Sequence, residues 1–213
     1  MTKPTQETFL KDVAAHQLTI YRDDGVYRHV RFRRPNTCCM HFDLVTWPGH
    51  LAYTGDMGDF VFARLHDMFE FFRTTDGLKI DPGYWAEKIQ ATDRCGGHRG
   101  FSEERFREVI NGYRLRWIRD ATRRGTLSKE QRRALWEAVD DEVLCRTYDG
   151  EHAAFEAANE FECIVGKRIY TLDDFWDHSF NEYTYRFLWA CYAIAWGIHK
   201  YDESKSAKPK SSP

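Results

Sequence analysis

Residues 39–63 read Cys39-Met-His-Phe-Asp-Leu-Val-Thr-Trp-Pro-Gly-His-Leu-Ala-Tyr-Thr-Gly-Asp-Met-Gly-Asp-Phe-Val-Phe-Ala63, and this stretch decides the fold. Apolar and polar residues alternate along it, the period of two that suits a half-buried strand. The alternation breaks at Trp47-Pro48-Gly49 and again at Gly55-Asp56-Met57-Gly58, both turn-forming in composition. Three short antiparallel strands joined by two tight turns follow from that pattern. Met40, Phe42 and Leu44 fall on the core side of the first strand; Cys39, His41, Asp43 and Val45 fall on the other.

Outward from this stretch the pattern extends in both directions. Upstream, Gln17 to Arg22 and Val26 to Arg33 read as two further strands around Asp23-Asp24-Gly25, so a meander of about five strands is expected. Thr5 is placed to cap a short helix carrying Phe9, Leu10 and Val13. Downstream the period changes. Phe62, Leu65, Met68, Phe69 and Phe72 have helical spacing, closed by Thr74 to Gly77. Asp81 and Pro82 open another helix, with Ile80 and Trp85 placed as a hydrophobic staple. Ser102 caps a long helix with the stripe Phe106, Val109, Ile110, Tyr113 and Trp117, which Gly125 ends. Ser128 and Gln131 form a capping box for a helix facing inward with Leu135, Trp136, Val139 and Val143. Glu151 to Glu162 reads as a helix, Lys167 to Thr171 as a strand, and the chain from Asp173 as mainly helical. The core face of that last helix is expected to include Tyr185, Leu188, Tyr192 and Trp196.

Strands first and helices after predict an α+β fold: an N-terminal antiparallel meander packed against a mainly helical C-terminal part with a buried C-terminal helix. No linker interrupts residues 1–201, which are read as a single domain; residues 202–213 read as a disordered, charged, Ser/Pro-rich tail.

The 213 residues are 42% hydrophobic and 15% aromatic, enough for a substantial core. A net charge of −2 selects neither nucleic acid nor an anionic membrane. The charge is unevenly spread: residues 99–133 hold eleven Lys/Arg against five Asp/Glu, and residues 137–162 hold nine Asp/Glu against one Arg. The first residues lack the apolar run of a secretory signal, and the most apolar stretch, Phe187 to Ile198, is shorter than the roughly 20 residues a spanning helix needs. A cytoplasmic protein with six reduced cysteines and no membrane partner is expected.

Three strings carry a resemblance: residues 41–58, residues 67–73 (Asp-Met-Phe-Glu-Phe-Phe-Arg) and residues 82–88 (Pro-Gly-Tyr-Trp-Ala-Glu-Lys). With residues 187–197, they resemble a family of uncharacterised proteins encoded by bacteriophages, prophages and some bacterial genomes. The resemblance implies an accessory role inside a bacterial host cell and carries over no catalytic residue.

Chemistry concentrates on the hairpin region. His41, Asp43, Trp47, His50, Tyr53, Asp56 and Asp59 form a candidate functional surface. The histidines and aspartates among them are the residue types of a general base and of Mg²⁺ or Mn²⁺ ligands, which need to converge on one point. Cys39, His41, Cys95 and His98 are the donor types of a zinc site but lack finger or ribbon spacing, so no metal is expected and no cofactor is called for. Arg31 and Arg33 on the sheet and Arg107 and Arg114 on the long helix are weak candidates for contacts to nucleic acid. Two functions follow. The first is a non-catalytic accessory protein that binds a host or defence protein, with nucleic acid as a further partner class. The alternative is a small metal-dependent hydrolase acting on nucleotide or nucleic acid.

Overall fold

A computed structural model of the chain describes residues 3–75, 77–94 and 96–207. The elements begin with α1 (Gln6–Asp12), β1 (Gln17–Asp24), β2 (Tyr27–Arg33), β3 (Phe42–Trp47), β4 (His50–Gly55) and β5 (Gly58–Ala63). Next come α2 (Met68–Phe72), α3 (Pro82–Ala86), β6 (Ile89–Thr92), β7 (Arg99–Phe101), α4 (Glu103–Arg124) and α5 (Lys129–Glu142). After a 3₁₀ segment (Leu144–Asp149) follow α6 (Glu151–Glu160), β8 (Glu162–Val165) and β9 (Arg168–Thr171). A 3₁₀ turn (Phe175–Asp177), β10 (Asn181–Tyr183) and α7 (Tyr185–Ser206) complete the chain. The fold is α+β, with the sheet in the N-terminal half and a mainly helical C-terminal part ending in α7.

The chain divides into two compact units: residues up to 100 together with those from 183, and residues 101–182. The sequence predicts one undivided domain because no linker marks either crossing. Both crossings fall within β7 and β10, two short strands that pair with each other, so composition bears no trace of the boundary.

In the first unit, β1 to β6 form one antiparallel meander in sequence order. Pro48 and Gly49 make the β3–β4 turn, with Gly49 at φ 80°, the positive value a type II turn requires at its third position. The register Val30↔Leu44↔Tyr53↔Phe60 draws a row of buried side chains across four strands, and Phe32↔Phe42 lies beside it. The helix α7 lies on this face. Gly197 permits the approach, since a Cβ there would stand 2.9 Å from Leu44 Cδ1 and 3.0 Å from Phe32 Cε2. Trp196 and Trp189 set their edges against Phe42, and the Trp189 indole N–H donates to Asp12 at 3.0 Å.

Several expectations change here. Cys39, Met40 and His41, expected on the first strand of the hairpin region, lie before it in a turn with Met40 at φ 56°, so that strand starts at Phe42. A sixth strand, β6, extends the sheet beyond the five expected. Phe62 belongs to β5, because pairing with Leu51 continues the alternation past the point where helical spacing begins. Only Met68–Phe72 is helical, capped by the Asp67 carboxylate, and Leu65 is exposed. The segment after Asp173 is a left-handed residue, a 3₁₀ turn and a strand; α7 starts only where Thr184 caps it. Its most enclosed positions are Phe187, Trp189, Ala190, Cys191, Ala193 and Ile194; of the expected core face Trp196 is buried, while Tyr185, Leu188 and Tyr192 are half-buried. The helix continues to Ser206, so residues 202–206 are helical and fastened: Arg73 donates twice to Asp202 at 2.8 and 3.1 Å, and Tyr201 OH and Lys205 both reach Asp23. The remainder of the expected tail, 208–213, lies outside the described residues.

The second unit has its own interior. Phe106, Ile110, Val139, Val143, Phe175 and Phe180 form one cluster, and Ala121, Leu127, Leu135, Val165 and Tyr170 another. Gly125 at φ 61° ends α4, and Ser128 and Gln131 exchange the expected capping bonds. The strand β9 gains a hairpin partner, β8, which the sequence does not mark beyond ending the preceding helix at Glu162. Among the described residues no helix is long and apolar enough to cross a membrane.

Candidate functional site

With α7 on one face of the sheet, the alternate side chains of β1 to β5 point to the other. At its centre Arg31 and Asp43 are directly opposed on neighbouring strands. Arg31 donates from Nε to Asp43 Oδ1 at 2.7 Å and from Nη2 to Oδ2 at 2.8 Å, a bidentate fork. His29, two residues along β2 and hence on the same face, brings Nε2 to 2.9 Å from Oδ2. Burial drives the Asp43 carboxyl upward, but the hydrogen bonds from Arg31 and His29 outweigh it and hold the group below the usual carboxylate range. The same bonds to Asp43 raise the Arg31 guanidinium. Facing an ionised acceptor, the imidazole donates from Nε2. The Tyr21 ring lies tilted against His29 at 4.8 Å, with the Arg31 guanidinium 5.5 Å from its ring centre.

Around this centre lie aromatic and guanidinium groups. Trp47 and His50 close the β3–β4 turn as a register pair and stack at 5.1 Å, nearly parallel, while His50 Nδ1 donates to the Pro48 carbonyl at 3.1 Å. Arg22 sits 5.0 Å from the Tyr27 ring and pairs with Asp24. Tyr21 is 55% exposed, Tyr27 42% and Trp47 36%. The register Val45↔Ala52↔Val61 runs a half-buried strip of small side chains across the middle.

The seven residues marked from the sequence fall in three places. Asp43, Trp47, His50 and Asp59 share the open face. His41 and Asp56 lie at its end, where they tie the loop before β3 to the β4–β5 turn. His41 Nδ1 is 3.1 Å from Asp56 Oδ1 and 2.7 Å from the Cys38 carbonyl, and Asp56 Oδ2 accepts the Met40 N–H. Tyr53 is on the covered face with no exposure, and its hydroxyl has no partner among the described residues. The two-residue turn explains this. Trp47 and His50 pair on one face, so Leu51 and Tyr53 must point to the other. That register was the available signal for Tyr53, and the matching one at Gly25 was the signal for Tyr21, Arg22, Tyr27 and His29, which sequence reasoning missed.

The arginines resolve similarly. Arg31 serves Asp43. Arg107 donates to Glu103 at 2.8 Å and also to the Leu144 carbonyl and Thr147. Arg114 is buried, bonded to Asp140 at 2.6 Å and stacked 3.6 Å from the Trp136 ring centre. Of the four only Arg33 is exposed without a partner among the described residues. For the zinc donor set, His41 is engaged as above and Cys95 lies outside the described residues. Among those described, no cluster of three or more His, Cys, Asp or Glu side chains is arranged to hold a metal ion. No protein-family model, curated protein or solved structure matches the chain.

Proposed function

We propose that the chain is a non-catalytic phage or mobile-element accessory protein that binds a host or defence protein through the open face of its sheet. The observation that carries this is the Arg31–Asp43–His29 group beside Tyr21 and Trp47: side chains of the types that dominate protein interfaces, held in place before any partner arrives. Ordering them on folding lowers the entropy lost on binding. Arg22, Arg31 and Arg33 on this face are balanced by Asp24, Asp43 and Asp59, which suits a mixed protein surface better than a polyanion. The mobile-element setting rests on the resemblance of residues 41–58, 67–73 and 82–88. Against the hydrolase reading, His41 and Asp43 are engaged in separate local networks and Tyr53 is enclosed.

The test is affinity purification of the full chain from nuclease-treated bacterial lysate, then calorimetry with the purified partner. Trp47→Glu and Tyr21→Glu are each expected to weaken binding by about 30-fold or more, the size of an interface hot spot, without lowering the melting temperature. Unchanged affinity in both variants would remove the sheet face from the reading. Phosphoester turnover by the wild type, abolished in His41→Ala, would establish the hydrolase instead.

A further inference from the structure

We infer that the second unit carries a separate surface for the phosphate backbone of nucleic acid, at the corner where α4 passes into α5. Arg116, Arg119 and Arg123 stand at i, i+3 and i+7 on α4, within an arc of about 60° on its exposed side. The helix buries Phe106, Ile110 and Ala121 on its other side, with Tyr113 at the margin between the two. Arg124 and Lys129 carry the charge around the turn at Gly125, and Arg133 continues it on α5. Residues 116–133 hold seven Lys/Arg against Asp120 and Glu130, an excess of +5 in eighteen residues.

These cations are largely uncommitted. Arg119, Arg124 and Lys129 have no partner among the described residues. Arg116 holds its guanidinium over the Tyr113 ring at 4.7 Å and remains exposed, with no ion-pair partner among the described residues. Arg123 and Arg133 pair with Asp120 and Glu137, but their side chains are 72% and 80% exposed, and such bridges exchange readily for a stronger anion. Arg107 and Arg114, by contrast, are consumed by the interior. Folding accounts for only part of the patch: Arg123 and Arg124 suit the last turn of α4 and Arg132 donates to the Leu127 carbonyl at 2.8 Å, but Lys129 stands at the start of α5, where the helix dipole disfavours a cation, and Arg119 and Arg133 serve no buried group.

Charge complementarity selects a polyanion, and six guanidiniums among the seven cations select phosphate, which the planar fork grips with two bonds. Residues 116–123 span about 10 Å of helix, close to the axial length of about three phosphates on one strand. Backbone contacts of this kind read no base sequence. The protein partner of the first unit and the nucleic acid of the second are then independent ligands.

The experiment is fluorescence anisotropy of the full chain with labelled duplex DNA, single-stranded DNA and RNA of about 24 nucleotides, long enough for several phosphate contacts, over a range of salt. Binding is expected with a slope of log affinity on log salt of about −3 to −5, and the tightest of the three probes identifies the physiological form. Arg119→Glu with Arg123→Glu should lower affinity at least about tenfold and flatten the slope; the corresponding Gln pair should show a smaller loss. Circular dichroism should be unchanged in both, since the side chains are exposed. Trp47→Glu should leave nucleic-acid binding intact, which separates this inference from the sheet-face reading. Absence of binding at low salt, affinity indifferent to both double variants, or equal affinity for a polyglutamate of matched charge would overturn it.

Discussion

At the scale of single residues, Asp43 and Tyr53 make opposite cases from one hairpin. Asp43 is 6% exposed yet ionised, because Arg31 and His29 supply three hydrogen bonds. Asp43→Ala leaves Arg31 a third exposed and able to recruit water, so the expected cost at neutral pH is about 1–3 kcal/mol. Its pH dependence has a definite sign. The folded pKa lies below the unfolded value, so the stabilisation is present above about pH 4 and is lost as pH falls through the folded pKa. Urea titrations should therefore show the gap between wild type and variant narrowing from pH 5 towards pH 2; a constant gap would mean the charge contributes nothing. Tyr53 is enclosed with an unpaired hydroxyl, and burial, reinforced by Asp56 and Asp59, raises its pKa well above the ordinary phenol value. Tyr53→Phe removes a desolvated group that has no protein partner to lose, so stability should be unchanged or up to about 1 kcal/mol higher. A clear loss would show that the hydroxyl is satisfied in solution by an internal water.

At the scale of elements, two helical glycines separate propensity from packing. A Cβ added at Gly112 in α4 would meet nothing within 4 Å, so Gly112→Ala should raise stability by about 1 kcal/mol through helix propensity alone. Gly197 in α7 rests on Leu44, Phe32 and Phe42, so Gly197→Val should lower it by about 2–3 kcal/mol, as the helix lifts from the sheet. Thermal melts of the pair decide the point: a melting temperature for Gly197→Val that is unchanged or raised would mean that α7 is not closely seated. The neighbouring Trp196→Ala should cost about 3–5 kcal/mol, since the indole fills the space between Phe9, Phe32 and Phe42.

At the scale of the whole molecule, each unit has its own clusters of buried side chains, and the second is continuous in sequence. Residues 101–182 expressed alone are expected to give a helical, cooperatively melting protein that keeps nucleic-acid binding. The first unit is different, because its sheet is covered by α7, encoded after the other unit. Truncation before Tyr185 should therefore leave the β1–β6 sheet insoluble, with Phe32, Phe42, Leu44 and Tyr53 uncovered. Soluble, folded residues 1–100 would show that α7 is dispensable.

The sequence by itself determined what depends on near neighbours. The alternation over 42–63 located the strands, Pro48-Gly49 their turn, and Ser102, Gly125, Ser128 and Gln131 the ends of α4 and the start of α5, because strand period, turn conformation and capping bonds are set within a few residues. Only the tertiary structure decided which polar groups are free. Asp43 meets Arg31 from 12 positions away, Arg107 meets Thr147 across 40, and Arg73 meets Asp202 across 129. Local periodicity also could not place the end of β5, the late start of α7 or the division into two units, since strand pairing and burial between distant segments outweigh propensity at each of those points.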